Sequence, residues 1–94
     1  MLKILCLYSE NKNNYCRTIN GTYKIKYTLS ELENKLSTKN FIRISNSCIA
    51  NFKQVECFNN EIVGTIKVKY KDGNVDYVSR RRIKDVMQAL KGGI

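Results

Sequence analysis

From Ile62 to Tyr70 the sequence alternates, with Ile62, Gly64, Ile66, Val68 and Tyr70 on one parity and Thr65, Lys67 and Lys69 among the other. A two-residue period of this length describes a strand with one face in a core and the other in water. Lys71-Asp72-Gly73-Asn74 follows as a hairpin turn suited to type I′ geometry, and Val75 to Val78 returns. A β-hairpin is thus written into a chain that contains no proline, and it sets the class of fold.

The N-terminal third repeats the theme. Residues 3–8, Lys-Ile-Leu-Cys-Leu-Tyr, read as a buried strand, and Ser9 to Asn14 as a polar turn. Tyr15 to Ile19 resumes as a strand, Asn20-Gly21 signals a turn, and Thr22 to Thr28 alternates with Tyr23, Ile25 and Tyr27 on one face. A three-stranded meander with those tyrosines buried is expected. Ser30-Glu31-Leu32-Glu33 fits a capping box, and Leu29, Leu32 and Leu36 have helical spacing, so a helix spans about 30–38 and stops near Ser37-Thr38-Lys39-Asn40. Phe41 to Ile44 is extended, Ser45-Asn46-Ser47 is a polar cluster, and Cys48-Ile49-Ala50 is extended again. Asn51-Phe52-Lys53 reads as a bend, Gln54 to Phe58 as a strand and Asn59-Asn60 as a turn. From Ser79, a plausible N-cap, the period becomes helical over about 80–91, with Ile83, Val86, Met87 and Leu90 on one face and Gly92-Gly93 closing it. The expectation is one mainly β domain, 1–94, with two short helices.

Charge narrows the function. Seventeen Lys+Arg oppose eight Asp+Glu, a net +9. Residues 1–29 carry +4 and residues 80–94 another +4, which leaves +1 for the middle. Two basic ends that meet in space would make a patch for a polyanion, most often nucleic acid. An enzyme is hard to build here. There is no histidine, no Gly-rich phosphate loop and no paired carboxylates, and neither Cys nor Ser has an evident base. The four cysteines, Cys6, Cys16, Cys48 and Cys57, show no C-x-x-C pair, so they read as small core residues, with no metal and no cofactor expected. No stretch is long and apolar enough to span a bilayer and no secretory signal is evident, so a cytoplasmic domain is expected.

Two segments carry the chemistry of recognition. Ser79-Arg80-Arg81-Arg82-Ile83-Lys84 sits at a strand-to-helix junction, where free backbone N–H groups also favour an anion. Guanidinium forks suit phosphate, or guanine O6 and N7. Cations at a helix start oppose the macrodipole, a local conflict that a bound polyanion would resolve. Arg81 and Arg82 cannot both point the same way, which suggests one base-reading and one phosphate-holding role. Ser45-Asn46-Ser47 is the neutral counterpart: Asn46 can meet adenine N6 and N7, although by itself the cluster is ordinary turn chemistry.

Phe41-Ile42-Arg43-Ile44-Ser45-Asn46-Ser47-Cys48-Ile49-Ala50-Asn51, with Val55, Lys71-Asp72-Gly73 and Val78-Ser79-Arg80 behind it, resembles the LytTR DNA-binding domain. That family's pattern is an F-x-R-(I/V)-x-x-S-x-(I/V)-(V/A)-N block, a later D-G hairpin and a V-S-R before a C-terminal helix. The resemblance covers essentially all of residues 3–91. It implies an elongated stack of small antiparallel sheets whose loops, not a recognition helix, enter the major groove. It implies transcriptional regulation in a bacterium, commonly as the output half of a two-component response regulator binding tandem direct repeats of double-stranded DNA.

Carried over by position, the resemblance places base-reading on Asn46, flanked by Ser45 and Ser47, and on Arg81, beside Arg80 and Arg82. It places a third, weaker contact near Asn13 and Asn14, with Asn14 as the reader. Phosphates would be held by Lys12, Arg17, Arg80, Arg82 and Lys84. Asn51 and Phe41 take structural positions, Asn51 satisfying backbone at the bend and Phe41 in the core. Many members have a basic or His residue where Ser45 or Asn46 stands, a departure that bears on the target sequence. The chain starts at what would be the family's second or third strand, either as a piece of a longer regulator or as a stand-alone member without a receiver domain. The expected partner is duplex DNA, with a dimer on the DNA left open, and with no membrane and no small-molecule substrate. Two rivals stand beside this reading: a small basic β module that stacks single-stranded RNA on aromatics, and a protein-interaction module with incidental charge.

Overall fold

The computed structural model describes residues 3–36, 40–62 and 65–91. Eight strands form two antiparallel sheets. The first has the order β3-β2-β1-β5-β4, from β1 (Ile4–Glu10), β2 (Asn13–Thr18), β3 (Gly21–Ile25), β4 (Phe41–Ser45) and β5 (Cys48–Asn51). The second has the order β6-β7-β8, from β6 (Val55–Ile62), β7 (Thr65–Tyr70) and β8 (Val75–Val78). Helix α1 (Leu29–Leu36) follows the meander and α2 (Ile83–Lys91) closes the described chain, which measures 35 × 26 × 24 Å. The mainly β stack with two short helices is as expected.

Burial explains the arrangement. One face of the five-stranded sheet packs Leu5, Cys6, Ile44 and Cys48, with Phe52 just after β5, on Ile66, Val68, Tyr70 and Val78 of the second sheet and on Val86 of α2. Its opposite face packs Leu7 and Ile49 under Leu29 of α1, with Leu32, Leu36 and Phe41 around them. The central strands β1 and β5 are therefore apolar on both sides. In β1 the register to β2 slips between Ile4 and Cys6, and this bulge lets consecutive Leu5 and Cys6 serve the same cluster. Ile66, Val68 and Tyr70 are buried as their alternation predicts, but Ile62 is not on their strand: it ends β6 and pairs with Thr65 of β7, and Gly64 lies outside the described residues.

Several local expectations are corrected. The first turn is Asn11-Lys12, whose φ angles of 51° and 67° give the consecutive left-handed residues of a type I′ hairpin. Asn13 and Asn14 thus belong to β2, not to the turn. At Asp72-Gly73 only Gly73 is left-handed, at φ 92°, and its N–H donates to the Tyr70 carbonyl at 2.9 Å. That is a type I turn with a glycine bulge, not type I′. Asn59-Asn60 is strand rather than turn, because β6 continues to Ile62. The capping box is Thr28 with Glu31: the Glu31 N–H donates to Thr28 Oγ1 at 3.1 Å and the Thr28 N–H donates to Glu31 Oε1 at 3.2 Å. Moving the box two residues earlier than Ser30–Glu33 puts Leu29 in the first turn and leaves Glu33 free for other work. The expected stop at Ser37-Thr38-Lys39 lies outside the described residues, as does Gly92-Gly93.

Tyr23 and Tyr27 are exposed, at 48% and 47%, where burial was expected; Tyr70 is fully buried. β3 is an edge strand that ends at Ile25, short of the expected Thr28, so Tyr23 lies on an uncovered edge and Tyr27 in the bend beyond it. The Tyr27 ring is met by the Lys35 ammonium at 4.2 Å. In α2, Met87 is 45% exposed while Val86 is buried and Ile83, Ala89 and Leu90 pack on the core. The buried stripe runs through Ile83, Val86, Ala89 and Leu90, so Ala89 completes the face and Met87 falls at its margin.

Candidate nucleic-acid interface

The Ser45-Asn46-Ser47 tip joins β4 to β5 and is built from below by Arg43. Arg43 Nε donates to the Ser45 carbonyl at 2.9 Å, Nη2 to the Asn46 carbonyl at 2.6 Å, and Nη1 to Glu33 at 2.8 Å. All three contacts are possible because the β4–β5 register slips between Arg43 and Ser45, giving the strand an extra residue, Ile44, that is fully buried. Ser45 Oγ accepts from the Ser47 N–H at 3.3 Å and lies 3.4 Å from Ser47 Oγ. Asn46 is exposed, and among the described residues only its backbone carbonyl has a partner. The tip therefore presents one uncommitted amide on a braced turn.

The arginine turn is tied to the same strand. The Ser79 N–H donates to the Ile44 carbonyl at 2.8 Å, one residue before the tip, and the Arg82 N–H donates to the Ser79 carbonyl at 2.9 Å. Ser79 occupies the N-cap position, but its side chain makes no capping bond. Arg80 and Arg81 are exposed, as is Lys84 in the first turn of α2. Arg82 is turned inward and lies 4.0 Å from Glu33, the carboxylate that also holds Arg43. One acid on α1 thus touches the supports of both segments.

The Asn11-Lys12 turn lies at the same end of the five-stranded sheet. Tyr8 pairs with Cys48, and the Ser9 N–H donates to the Ser47 carbonyl at 2.9 Å, so the end of β1 runs alongside the tip. Lys12 is exposed there. Asn13 donates to the Asn11 carbonyl at 3.3 Å and Asn14 to the Tyr27 carbonyl at 2.9 Å. Their amides brace the turn and the end of β3.

Arg17 departs from the phosphate-holding set. Its Nη1 lies 2.6 Å from Asp72 Oδ2, its guanidinium sits 4.9 Å over the Tyr70 ring, and its side chain is 18% exposed. The Asp72 carboxyl is held below its ordinary value although partial burial opposes this, because the Asn74 N–H and amide and the Arg17 guanidinium all favour the anion. Arg17 is a strut between β2 and the β7–β8 turn.

Asn51 and Phe41 take the structural places expected. Asn51 Nδ2 donates to the Ile4 carbonyl at 2.7 Å and its Oδ1 accepts from the Lys53 N–H at 3.1 Å, while Phe41 packs with the cluster under α1. Sequence reasoning gave Arg43 no role in the site and placed Glu33 only in a helix cap. Their signal was present in the fixed arginine of the F-x-R block, but the acid that completes it comes from another element. Among the described residues no helix is long and apolar enough to cross a membrane.

Residues 1–91 match the family model described as "LytTr DNA-binding domain". An uncharacterized HTH-type transcriptional regulator of Staphylococcus aureus (strain NCTC 8325 / PS 47) is 40% identical over 80 residues, covering 85% of this chain and 54% of the relative. A relative with the same description in strain MRSA252 matches to the same extent. The chain spans about half the length of these curated relatives. A solved LytTr DNA-binding domain of a putative methyl-accepting/DNA response regulator from Bacillus cereus superposes with a TM-score of 0.90 at 25% identity, covering 98% of this chain and 83% of that one. In the described residues α1 and α2 are separated by β4 to β8, so they form no helix-turn-helix pair.

Proposed function

The chain belongs to the LytTr DNA-binding domain family, and from that premise we propose that it reads double-stranded DNA with loops, as the recognition module of a bacterial transcriptional regulator. Asn46 and Arg81 read base edges in the major groove, and Arg80, Lys84 and Lys12 hold phosphates. Ser45 and Ser47 shape the tip, Arg82 supports the arginine turn, and Asn13 and Asn14 brace the third contact region. Two copies of the module occupy a tandem direct repeat.

The observation that carries the reading is the bond from the Ser79 N–H to the Ile44 carbonyl at 2.8 Å. It holds the neutral tip and the exposed arginines on adjoining backbone, so a base-reading amide and a phosphate-binding cluster are offered together. In vitro selection from random duplexes is the test. Two similar motifs in direct repeat support the proposal, and no enrichment at low salt would overturn it.

A second reading gains from one observation: Tyr23 and Tyr77 are exposed at 48% and 58%, which leaves rings available for stacking single-stranded bases. Competition between duplex DNA and single strands separates the two, since a stacking module would prefer the strands.

A further inference from the structure

Four cysteines scattered at residues 6, 16, 48 and 57 lack the close spacing of a zinc knuckle, yet the sheet brings two of them together. Cys6 on β1 and Cys48 on β5 meet Asp76 of β8 where the two sheets face each other. Their two sulfurs and a carboxylate oxygen all lie within 4.8 Å of one another. Both cysteines are buried, and Cys48 Sγ is 3.7 Å from Asp76 Oδ2. The Tyr70 hydroxyl donates to the same Oδ2 at 2.8 Å and so fixes the carboxylate. All three residues line a cavity of about 510 Å³ that opens beside Ser45 and Ser47. From this convergence we infer that Cys6, Cys48 and Asp76 form a binding site for a thiophilic divalent cation of the zinc class, with a fourth position open to the cavity.

Geometry favours a metal over a disulfide. In register Cys6 faces Ala50 and Cys48 faces Tyr8, so the cysteines are diagonal neighbours. Diagonal Cα separations run about 7–8 Å. Disulfides usually need about 4.4–6.8 Å. A tetrahedral ion with sulfur at about 2.3 Å and oxygen at about 2.0–2.2 Å holds its donors roughly 3.6–3.8 Å apart. The separation of Cys48 Sγ from Asp76 already matches.

The donor set selects the ion. Two thiolates and one carboxylate suit zinc and disfavour magnesium and calcium, which take all-oxygen shells. Both cysteines bind as thiolates, so binding releases their two protons to solvent and strengthens as pH rises. The Arg17 guanidinium offsets part of the negative charge of the donor set.

The ligands come from three strands, and two of them lie next to a recognition segment. Cys48 follows Ser47 directly, and Asp76 lies three residues before Ser79. A bound ion therefore clamps one sheet to the other directly behind the tip and the arginine turn. The effect on DNA rests on the function proposed above; the binding of metal does not.

The test is titration of the reduced protein with Co²⁺, without DNA, read as thiolate-to-cobalt charge-transfer absorption, alongside thermal melts with and without Zn²⁺. One equivalent of Co²⁺ is expected to produce the band in the wild type and in the Cys57→Ser control. Cys48→Ser and Cys6→Ser should lose it, and Zn²⁺ should raise the melting temperature of the wild type but not of Cys48→Ser. Asp76→Asn should keep the band and bind at least tenfold more weakly. Tyr70→Phe should weaken binding about 10–100-fold, since it frees the ligating carboxylate. Far-UV circular dichroism checks the fold of each variant; if a serine variant does not fold, Asp76→Asn and Tyr70→Phe carry the comparison. No band in the reduced wild type, an undiminished band in folded Cys48→Ser, or wild-type affinity in both Asp76→Asn and Tyr70→Phe would overturn the site.

Discussion

Arg43 Nη2 donates to the backbone carbonyl of Asn46 at 2.6 Å, so the exposed tip rests on an arginine whose side chain is only 12% exposed. The residue that sets the tip's shape is therefore not available to touch DNA. Specificity at such a loop depends on how narrowly the amide of Asn46 is aimed, and Arg43 supplies that restriction from the protein side.

Arg43→Lys keeps the charge but cannot span two carbonyls and a carboxylate with one ammonium. Because water can replace these bonds at the exposed tip, their loss costs about 0.5–1.5 kcal/mol. Urea denaturation should show that loss, and duplex-binding assays should show weaker discrimination between target and scrambled sites. A variant as stable and as selective as the wild type would rule out the bracing role.

Arg81→Ala and Lys84→Ala separate reading from charge. Loss of a bidentate base contact at Arg81 should cost ~1–3 kcal/mol against the true site and relax one or two base positions. Loss of Lys84 should weaken all sequences alike and reduce the salt slope by about one. Fluorescence anisotropy over a salt series measures both, and identical behaviour of the two variants would contradict the division of labour.

Arg17 and Asp72 predict an acid-sensitive strut. Asp72's folded pKa lies below its ordinary value, so its contribution is full above the unfolded carboxylate pKa and is lost as pH falls through the depressed folded value. Asp72→Asn should therefore be less stable than the wild type near neutrality, with the difference shrinking as pH falls through and below the ordinary carboxylate range. Arg17→Gln should lower stability while leaving the salt slope of DNA binding unchanged. A reduced slope would return Arg17 to the phosphate-holding set.

What the sequence could convey was whatever depends on near neighbours. The alternation of Ile66, Val68 and Tyr70, the meander and the F-x-R block were all legible because strand period and turn chemistry are local. Tyr23 and Tyr27 were misjudged because alternation says which face a residue takes, while the apolar cluster under α1 reaches β3 only at Ile25. Asn59-Asn60 read as a turn, yet β6 is an edge strand that runs on to Ile62 through a register shift after Asn59, an irregularity that an edge tolerates. In the candidate site the exposed amide and arginines could be named in advance. The inward roles of Arg17 and Arg82 could not, because Asp72 and Glu33 lie 55 and 49 positions away in the chain and carry no local mark.

The shifted capping box yields a paired prediction. Thr28→Ala removes the hydroxyl that accepts from the Glu31 N–H, at a cost of about 0.5–2 kcal/mol. Ser30→Ala, inside α1 and exposed, should stay within about 0.5 kcal/mol of the wild type. Equal losses in urea denaturation would restore the box to Ser30 and Glu33.

Glu33 gives the sharpest prediction, because two effects on DNA have opposite signs. Glu33→Gln removes a negative charge from the neighbourhood of the tip and the arginine turn, which should strengthen binding to any duplex and steepen its salt dependence. It also takes the charged partner from Arg43 at 2.8 Å and from Arg82 at 4.0 Å, which loosens both segments. Affinity for scrambled duplex should therefore rise while the ratio of target to scrambled affinity falls. A purely electrostatic role would raise both affinities in proportion and leave that ratio unchanged, and a purely structural role would leave scrambled binding untouched. Anisotropy with both duplexes at two salt concentrations distinguishes the three outcomes.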